Sequence, residues 1–233
     1  MEAAIVTGAS RGCGLAIAKR LVGLKYVVYG LARDFGECTF SASTFHPVSC
    51  DLSKTGDLLS TVNEILEKEK ELKIVVNNAG IGFFGPHETI SPLDIEQMIL
   101  TNLLAPILLT QTTLRALRKT SGYIINISST AAMRPHRFGC AYAATKAGLA
   151  QFGRSLFQEV RKRGIKVVTV YPDFVQSSFH DNADFKPSSS PDSHLEPACV
   201  ASAVEQILSQ REGTLISEIV LEPQKFSIEK KIR

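Results

Sequence analysis

Ala3–Thr7 (AAIVT) runs straight into Gly8-Ala9-Ser10-Arg11-Gly12-Cys13-Gly14, and Leu15–Val22 (LAIAKRLV) follows. The opening apolar run reads as a buried strand, and the closing stretch carries a helical pattern. Between them, Gly8, Gly12 and Gly14 let the chain turn tightly and bring its backbone close to a ligand. The N–H groups that open a helix attract negative charge, and phosphate above all. Strand, glycine-rich turn and helix in this order start a βαβ unit that cradles a pyrophosphate. The spacing is G-x-x-x-G-x-G rather than the commoner G-x-G-x-x-G, so a turn that only packs the helix on the sheet is the alternative.

The rest of the chain repeats the same rhythm. Short apolar runs at Tyr26–Ala32, Thr44–Ser49, Lys73–Asn77, Tyr123–Ser128, Lys166–Tyr171 and Leu215–Leu221 alternate with amphipathic stretches. Leu58, Val62, Ile65 and Leu66 share one helix face, and Ser91–Arg118, Cys140–Arg163 and Pro197–Gln210 are further helical patterns. Continuous apolar strands alternating with helices predict an α/β fold, a doubly wound parallel sheet of seven strands with helices on both faces. Residues 1–233 read as one domain, with neither a repeat nor a dividing linker. Two segments break the pattern. Asp34–Ser43 is too short and polar for a full crossover helix. Phe174–Glu196, with its KPSSSPDSH core, reads as a substrate lid or as a surface excursion.

Composition narrows the function. The chain has 233 residues, 44% of them apolar and 21% charged, and a net charge of +3. That balance gives no field to gather nucleic acid, and none is expected as a partner. Gln97–Leu114 is long and uncharged, but Asn102, Pro106 and its threonines favour a buried helix over a membrane span. The five cysteines form no C-x-x-C and no metal spacing, and no basic, apolar leader precedes the first strand. The expectation is a cytoplasmic protein with reduced thiols and no metal.

Tyr142 and Lys146 lie four apart in the helical stretch AYAATKAGLAQF and so share a face. A phenol beside an ammonium is a workable acid/base, because a nearby cation favours phenolate. An exposed contact between the two is the plainer reading. Ser129 follows the strand Tyr123–Ser128, and strand ends are where open α/β sheets bind ligands. A serine closing a turn is the alternative there.

Taken together, TGASRGCG, then Asn77-Asn78-Ala79-Gly80, then Asn102, Ser129 and Tyr142-Ala143-Ala144-Thr145-Lys146 resemble the ordered motifs of the short-chain dehydrogenase/reductase family. The resemblance covers nearly the whole chain. It implies a Rossmann fold that transfers hydride between a nicotinamide and a carbonyl or alcohol. It implies Tyr142 as acid/base, Lys146 on the nicotinamide ribose and lowering the Tyr142 pKa, Ser129 on the substrate oxygen, and Asn102 behind a water relay. Gly8, Ser10, Arg11, Gly12, Cys13 and Gly14 would hold the pyrophosphate, with Asn78, Ala79 and Gly80 lining the crevice. Asp51 and Leu52 would meet the adenine, although Asp51 could equally cap a helix. Pro172, Val175 and Ser177 match the family's pattern after the sixth strand, with Ser177 where threonine is common. Asp173 departs from it, standing where glycine is usual. The C-terminal ISEIVLEP is similar to the branch acting on 3-hydroxy acids and short alcohols.

The second strand ends in Ala32-Arg33, where NAD-dependent members carry an acid. A guanidinium there binds a 2′-phosphate that a carboxylate would repel. With Arg11 opposite, the expected cofactor is NADP(H), Asp34 being the one reservation. Arg134, His136 and Arg137 cluster before Tyr142 and would suit a substrate carboxylate, if they are not simply solvated. The expected activity is an NADP-dependent oxidoreductase acting on a small carbonyl or alcohol, such as a 3-oxo or 3-hydroxy acid. A pterin or quinone reductase and a non-catalytic NADP(H) sensor are the alternatives. Apolar positions in excess of one packing face (Ile99, Leu103, Leu104, Leu108, Phe152, Leu156, Phe157) suggest a homo-oligomer, a tetramer or a dimer.

Overall fold

The computed structural model describes residues 1–180, 185–188, 190–225 and 227–230. Seven parallel strands form the central sheet: β1 (Ala3–Thr7), β2 (Val27–Ala32), β3 (Phe45–Ser49), β4 (Leu72–Asn77), β5 (Tyr123–Ile127), β6 (Lys166–Pro172) and, after one short strand described below, β8 (Glu218–Leu221). Their order across the sheet is β3-β2-β1-β4-β5-β6-β8. Every residue of β1 and β5 is buried, as the unbroken apolar runs require of strands covered on both faces. The edge strand β8 alternates exposed and half-buried residues instead.

Two helical layers cover the sheet. On one face lie α1 (Gly12–Gly23) and α6 (Pro197–Leu208), with Ile17, Leu21, Val200 and Val204 fully buried against β-residues such as Val6, Ile74 and Val168. On the other lie α2 (Thr55–Lys68), α4 (Ala105–Thr120) and α5 (Cys140–Val160), packed through Leu58, Val62, Leu109, Leu117 and Leu156. As its composition predicts, the crossover from β2 to β3 has no helix.

The long stretch Pro92–Thr120 is a broken helix. Its first part, α3 (Pro92–Ile99), begins under a Ser91 side-chain cap and passes through a π-turn at Leu100–Leu104 into α4. Pro106 explains the break. It has no N–H, so the carbonyl of Asn102 lacks its usual α-helical donor, and the wider turn accommodates the ring. Pro92–Thr120 is long and apolar enough to cross a membrane by length and composition, but Leu109, Thr110, Thr113 and Leu117 are buried inside the protein.

A second, two-stranded antiparallel sheet pairs β7 (Phe185–Pro187) with β9 (Ile228–Lys230), which periodicity did not foretell. The segment Phe174–Glu196, expected as a substrate lid with a surface excursion as the alternative, is anchored to the fold at its two ends. Val175 pairs with Leu195, and Gln176 N–H donates to Leu195 O at 2.8 Å, so its two ends are zipped together. Phe174, Leu195, Ser193 and His194 are buried, and Ser193 Oγ donates to Ser188 O at 2.9 Å. Residues 181–184 and 189 of the expected lid lie outside the described residues.

Candidate active site

The order of the strands reverses between β1 and β4, and a cleft of about 700 Å³ opens at the carboxyl ends of the strands there. Open α/β sheets bind ligands at such a switch point. All the positions selected from the sequence for a cofactor, from Gly8 to Ser177, border this cleft.

The glycine-rich turn forms one wall. Gly8 and Gly12 have φ of 67° and 55°, which disfavours any residue with a Cβ. A Cβ on Gly14 would stand 2.1 Å from Gly8 O, so the third glycine sets how closely α1 approaches the turn. No side chain caps α1, and no acid lies in its first turn. Uncapped N–H groups, close-approach glycines and no negative charge fit a pyrophosphate. Thr7 fastens the two sides of the switch point: its Oγ1 accepts from Asn78 N–H and Ala79 N–H, both at 3.0 Å. Asn78 Nδ2 in turn donates to Thr7 O at 2.8 Å.

Arg33, Asp34, Glu37 and Asp51 gather at the far end. Asp34 turns back on its own loop, where Oδ1 accepts from Gly36 N–H at 2.8 Å. Glu37 is a carboxylate there that the sequence reading leaves out. Asp51 Oδ1 accepts from Ser53 Oγ at 2.7 Å and from Ser53 N–H at 3.1 Å. Those bonds, then the charges of Lys54 and Arg33, hold its carboxyl below the usual carboxylate range despite partial burial. The residue that flanks α2 is Lys54, so Asp51 closes a turn ahead of the helix rather than capping it.

At the other end, α5 carries Tyr142 and Lys146 to the carboxyl ends of β5 and β6. Ser128 Oγ donates to Lys146 O at 2.9 Å and ties this helix to β5. Lys146 is buried, and its Nζ donates to Ile127 O at 2.9 Å while lying 5.9 Å from the Tyr142 ring centre. A Cβ on Gly80 would come within 3.2 Å of that Nζ, so the glycine leaves room for the ammonium. Ser129 does two things at once. Its Oγ accepts from Ala131 N–H at 3.2 Å, capping a short 3₁₀ turn, and its hydroxyl also acts on the Tyr142 phenol, favouring the ionised form.

Burial pushes the Tyr142 phenol up to about 12, the Ser129 bond pulls it partly back, and Lys146 is not among the causes. The Lys146 ammonium lies on the ring side of Tyr142 and donates to a backbone carbonyl. Burial also brings Lys146 down to about 8. The same effect raises the Cys13 thiol to about 11, with Lys146 opposing it.

Asn102 is fully buried and does not border the cleft. Its Oδ1 accepts from Ile81 N–H at 2.8 Å, and its Nδ2 donates to Ile81 O at 2.8 Å and to Thr145 Oγ1 at 3.1 Å. It therefore braces the loop after β4 against α5. Arg134 and Arg137 do not border the cleft either, whereas His136 does. Phe84 and Phe179 are cleft residues that no sequence period marks.

The geometry has known counterparts. A model of the family described as short chain dehydrogenase matches residues 2–186. Estradiol 17-beta-dehydrogenase 2 of Rattus norvegicus is 32% identical over 195 residues, which is 78% of this chain. The chain spans about half the length of that relative, 50%. A metagenomic short-chain oxidoreductase solved in complex with NADP is 32% identical, with a TM-score of 0.80 over 95% of this chain and 97% of the other. An alcohol dehydrogenase from the archaeon Thermococcus sibiricus, complexed with 5-hydroxy-NADP, is 26% identical, with a TM-score of 0.86 over 97% and 99%. Glycine-rich turn, Asn-Asn-Ala-Gly loop and paired tyrosine and lysine thus stand in one cleft of a Rossmann sheet, and the chain belongs to the short chain dehydrogenase family.

Proposed function

We propose that this chain is an NADP(H)-dependent oxidoreductase that interconverts a carbonyl and an alcohol. The observation that carries the reading is the meeting of Ser129, Tyr142 and Lys146 at one end of a cleft that the glycine-rich turn walls. The glycine-rich turn and Lys146 would hold NADPH, which would supply the hydride that the carbonyl carbon gains. The chain's own residues do the rest. Ser129 holds the carbonyl oxygen, and Tyr142 donates its phenolic proton to that oxygen as negative charge develops. The carbon thereby gains a hydride and the oxygen a proton, and the alcohol forms. A phenol held at about 12 is fully protonated at neutral pH and stands ready as an acid. Lys146 would bind the ribose, and Asn102 would hold the Ile81 loop and α5 in register behind it.

Arg33 favours the phosphorylated cofactor, since Asp34 is turned into its own loop. The NADP complexes of similar proteins support the same choice. A homo-oligomer in the cytoplasm completes the reading. Ile99 is 46% exposed on α3, although Leu156 is core and Leu108, Phe152 and Phe157 pack partly against it. The test is NADPH absorbance loss with a panel of aldehydes and ketones, beside NADPH binding followed by fluorescence. Binding without any carbonyl-dependent oxidation would leave a cofactor sensor and refute the oxidoreductase.

A further inference from the structure

Beside Tyr142 the cleft is walled by rings. Phe84 lies 5.4 Å from the Tyr142 ring centre and 6.3 Å from Phe179, which is itself 5.7 Å from Tyr142. The His136 ring is 5.8 Å from Phe84 and 6.5 Å from Tyr142. Ile81, Ile90 and Ile95 pack around the same cluster with buried Met98 and Ala131. Three segments distant in sequence build this wall: the loop after β4, the loop after Ser129 and the 3₁₀ turn Ser178–His180. Gly85 N–H donates to Phe138 O at 2.8 Å and stitches the first two together.

The two arginines of the loop after Ser129 are already engaged. Arg134 reaches Asp173 with one Nη at 2.6 Å and Glu222 with the other at 3.1 Å. The Arg137 guanidinium lies 4.7 Å from the Phe138 ring centre. Both arginines are thus engaged outside the cleft. Asp173 does border it, where it adds a carboxylate whose side chain is only 12% exposed.

We infer that the substrate carries an uncharged ring-bearing group beside its reacting carbon, and that Asp173 makes the site disfavour carboxylates. This rests on the oxidoreductase reading above. Rings at 5–6 Å spacing favour a further aromatic or flat alicyclic group in edge or offset contact. A carboxylate brought near Asp173 would lose water and find only a cation already shared between two acids, Arg134 holding Asp173 and Glu222.

Three β-oxo compounds test it with one carbonyl chemistry: ethyl benzoylacetate (ring, neutral), benzoylacetate (ring, anionic) and ethyl acetoacetate (no ring, neutral), with propanal as a minimal carbonyl. With NADPH, kcat/KM for ethyl benzoylacetate is expected to exceed both others by about ten-fold or more, the ring gaining from burial of several carbons. Asp173→Asn should narrow the gap between benzoylacetate and its ester, and Phe84→Leu the gap between the two esters. Both variants are read as ratios within one preparation, and the wild-type ranking decides even if a variant does not fold. Equal or faster turnover of benzoylacetate or ethyl acetoacetate overturns the inference, as does turnover of propanal alone. No oxidation with any of the four, while NADPH binds, overturns the oxidoreductase reading itself.

Discussion

Replacing Tyr142 by phenylalanine removes one oxygen and leaves the ring among Phe84, Phe179 and His136. The hydroxyl bonds Ser129, and a lost hydrogen bond costs about 1 kcal/mol. The raised pKa adds no further cost, because at neutral pH the phenol is uncharged and burial penalises only the phenolate. Stability should therefore change little, with Tm moving by no more than about 4 °C for a chain of this size. Turnover should fall steeply. General acid catalysis is typically worth about 10²–10⁴-fold, and Ser129, an ordinary hydroxyl, is too weak an acid to replace the phenol. The assay pairs NADPH oxidation at saturating carbonyl with NADPH binding and thermal unfolding of the same variant. Near-native binding and Tm with at least a hundred-fold loss of rate is the expected outcome. A variant that kept more than about a tenth of its rate would show that the proton comes from elsewhere. A Tm drop beyond about 10 °C would show a fold defect instead.

Arg33→Ala should weaken NADPH by about ten- to a hundred-fold, since a hydrogen bond to a charged group is worth about 1.5–3 kcal/mol, and leave NADH almost unchanged. Equal losses in a fluorescence titration would make the arginine structural. Gly14→Ala forces a Cβ to within 2.1 Å of Gly8 O, so it should cost about 1–3 kcal/mol or more and abolish NADPH binding. An unchanged Tm in calorimetry would mean that the turn relaxes freely. Phenol absorbance titrated against Tyr142→Phe as blank should place Tyr142 near 12 in the free protein, because burial penalises the anion and moves an acid upward. Added NADP⁺ brings a positive nicotinamide and should move the midpoint down, while a free-protein midpoint at or below 10 would mean that water reaches the hydroxyl. Light scattering at micromolar concentration should give a dimer or tetramer mass, and a monomer mass would refute the oligomer.

What the sequence discloses and what it hides have different physical origins. Gly8, Gly12, Gly14 and the Tyr142–Lys146 pair are legible because each requirement is local: a backbone angle, a missing Cβ, one helical turn. The strands are legible because burial on both faces leaves continuous apolar runs. Asn102 was legible as a position, but its bonds to Ile81 and Thr145 were not, because they depend on the shape of the helix around it. The clue was Pro106 four residues on, which removes a helical donor and opens the π-turn at Leu100–Leu104. The aromatic wall was hidden, since Gly82-Phe83-Phe84-Gly85 has no period and Phe179 comes from a turn far along the chain. Arg134 looked available to a substrate because its partners Asp173 and Glu222 are 39 and 88 positions away. The Tyr142 pKa was hidden for the same reason: burial is a property of the assembled cleft, not of the helix.

Those long-range features converge on Asp173. A glycine there would leave Arg134 with Glu222 alone and leave the cleft wall neutral. The carboxylate instead draws the loop after Ser129 onto the end of β6. One substitution thus couples two effects that could be selected separately. It holds the loop that carries His136, and it puts an acidic side chain in the lining of the cleft. Exposed ion pairs are worth little by themselves, but this one has a carboxylate that is 88% covered by the protein and a second acid on the same guanidinium. Truncating Arg134 would leave that carboxylate uncompensated, whereas neutralising Asp173 would leave Arg134 its second partner. The two variants are therefore unequal: Arg134→Ala should destabilise the loop more than Asp173→Asn, and only the latter should relax the exclusion of anions.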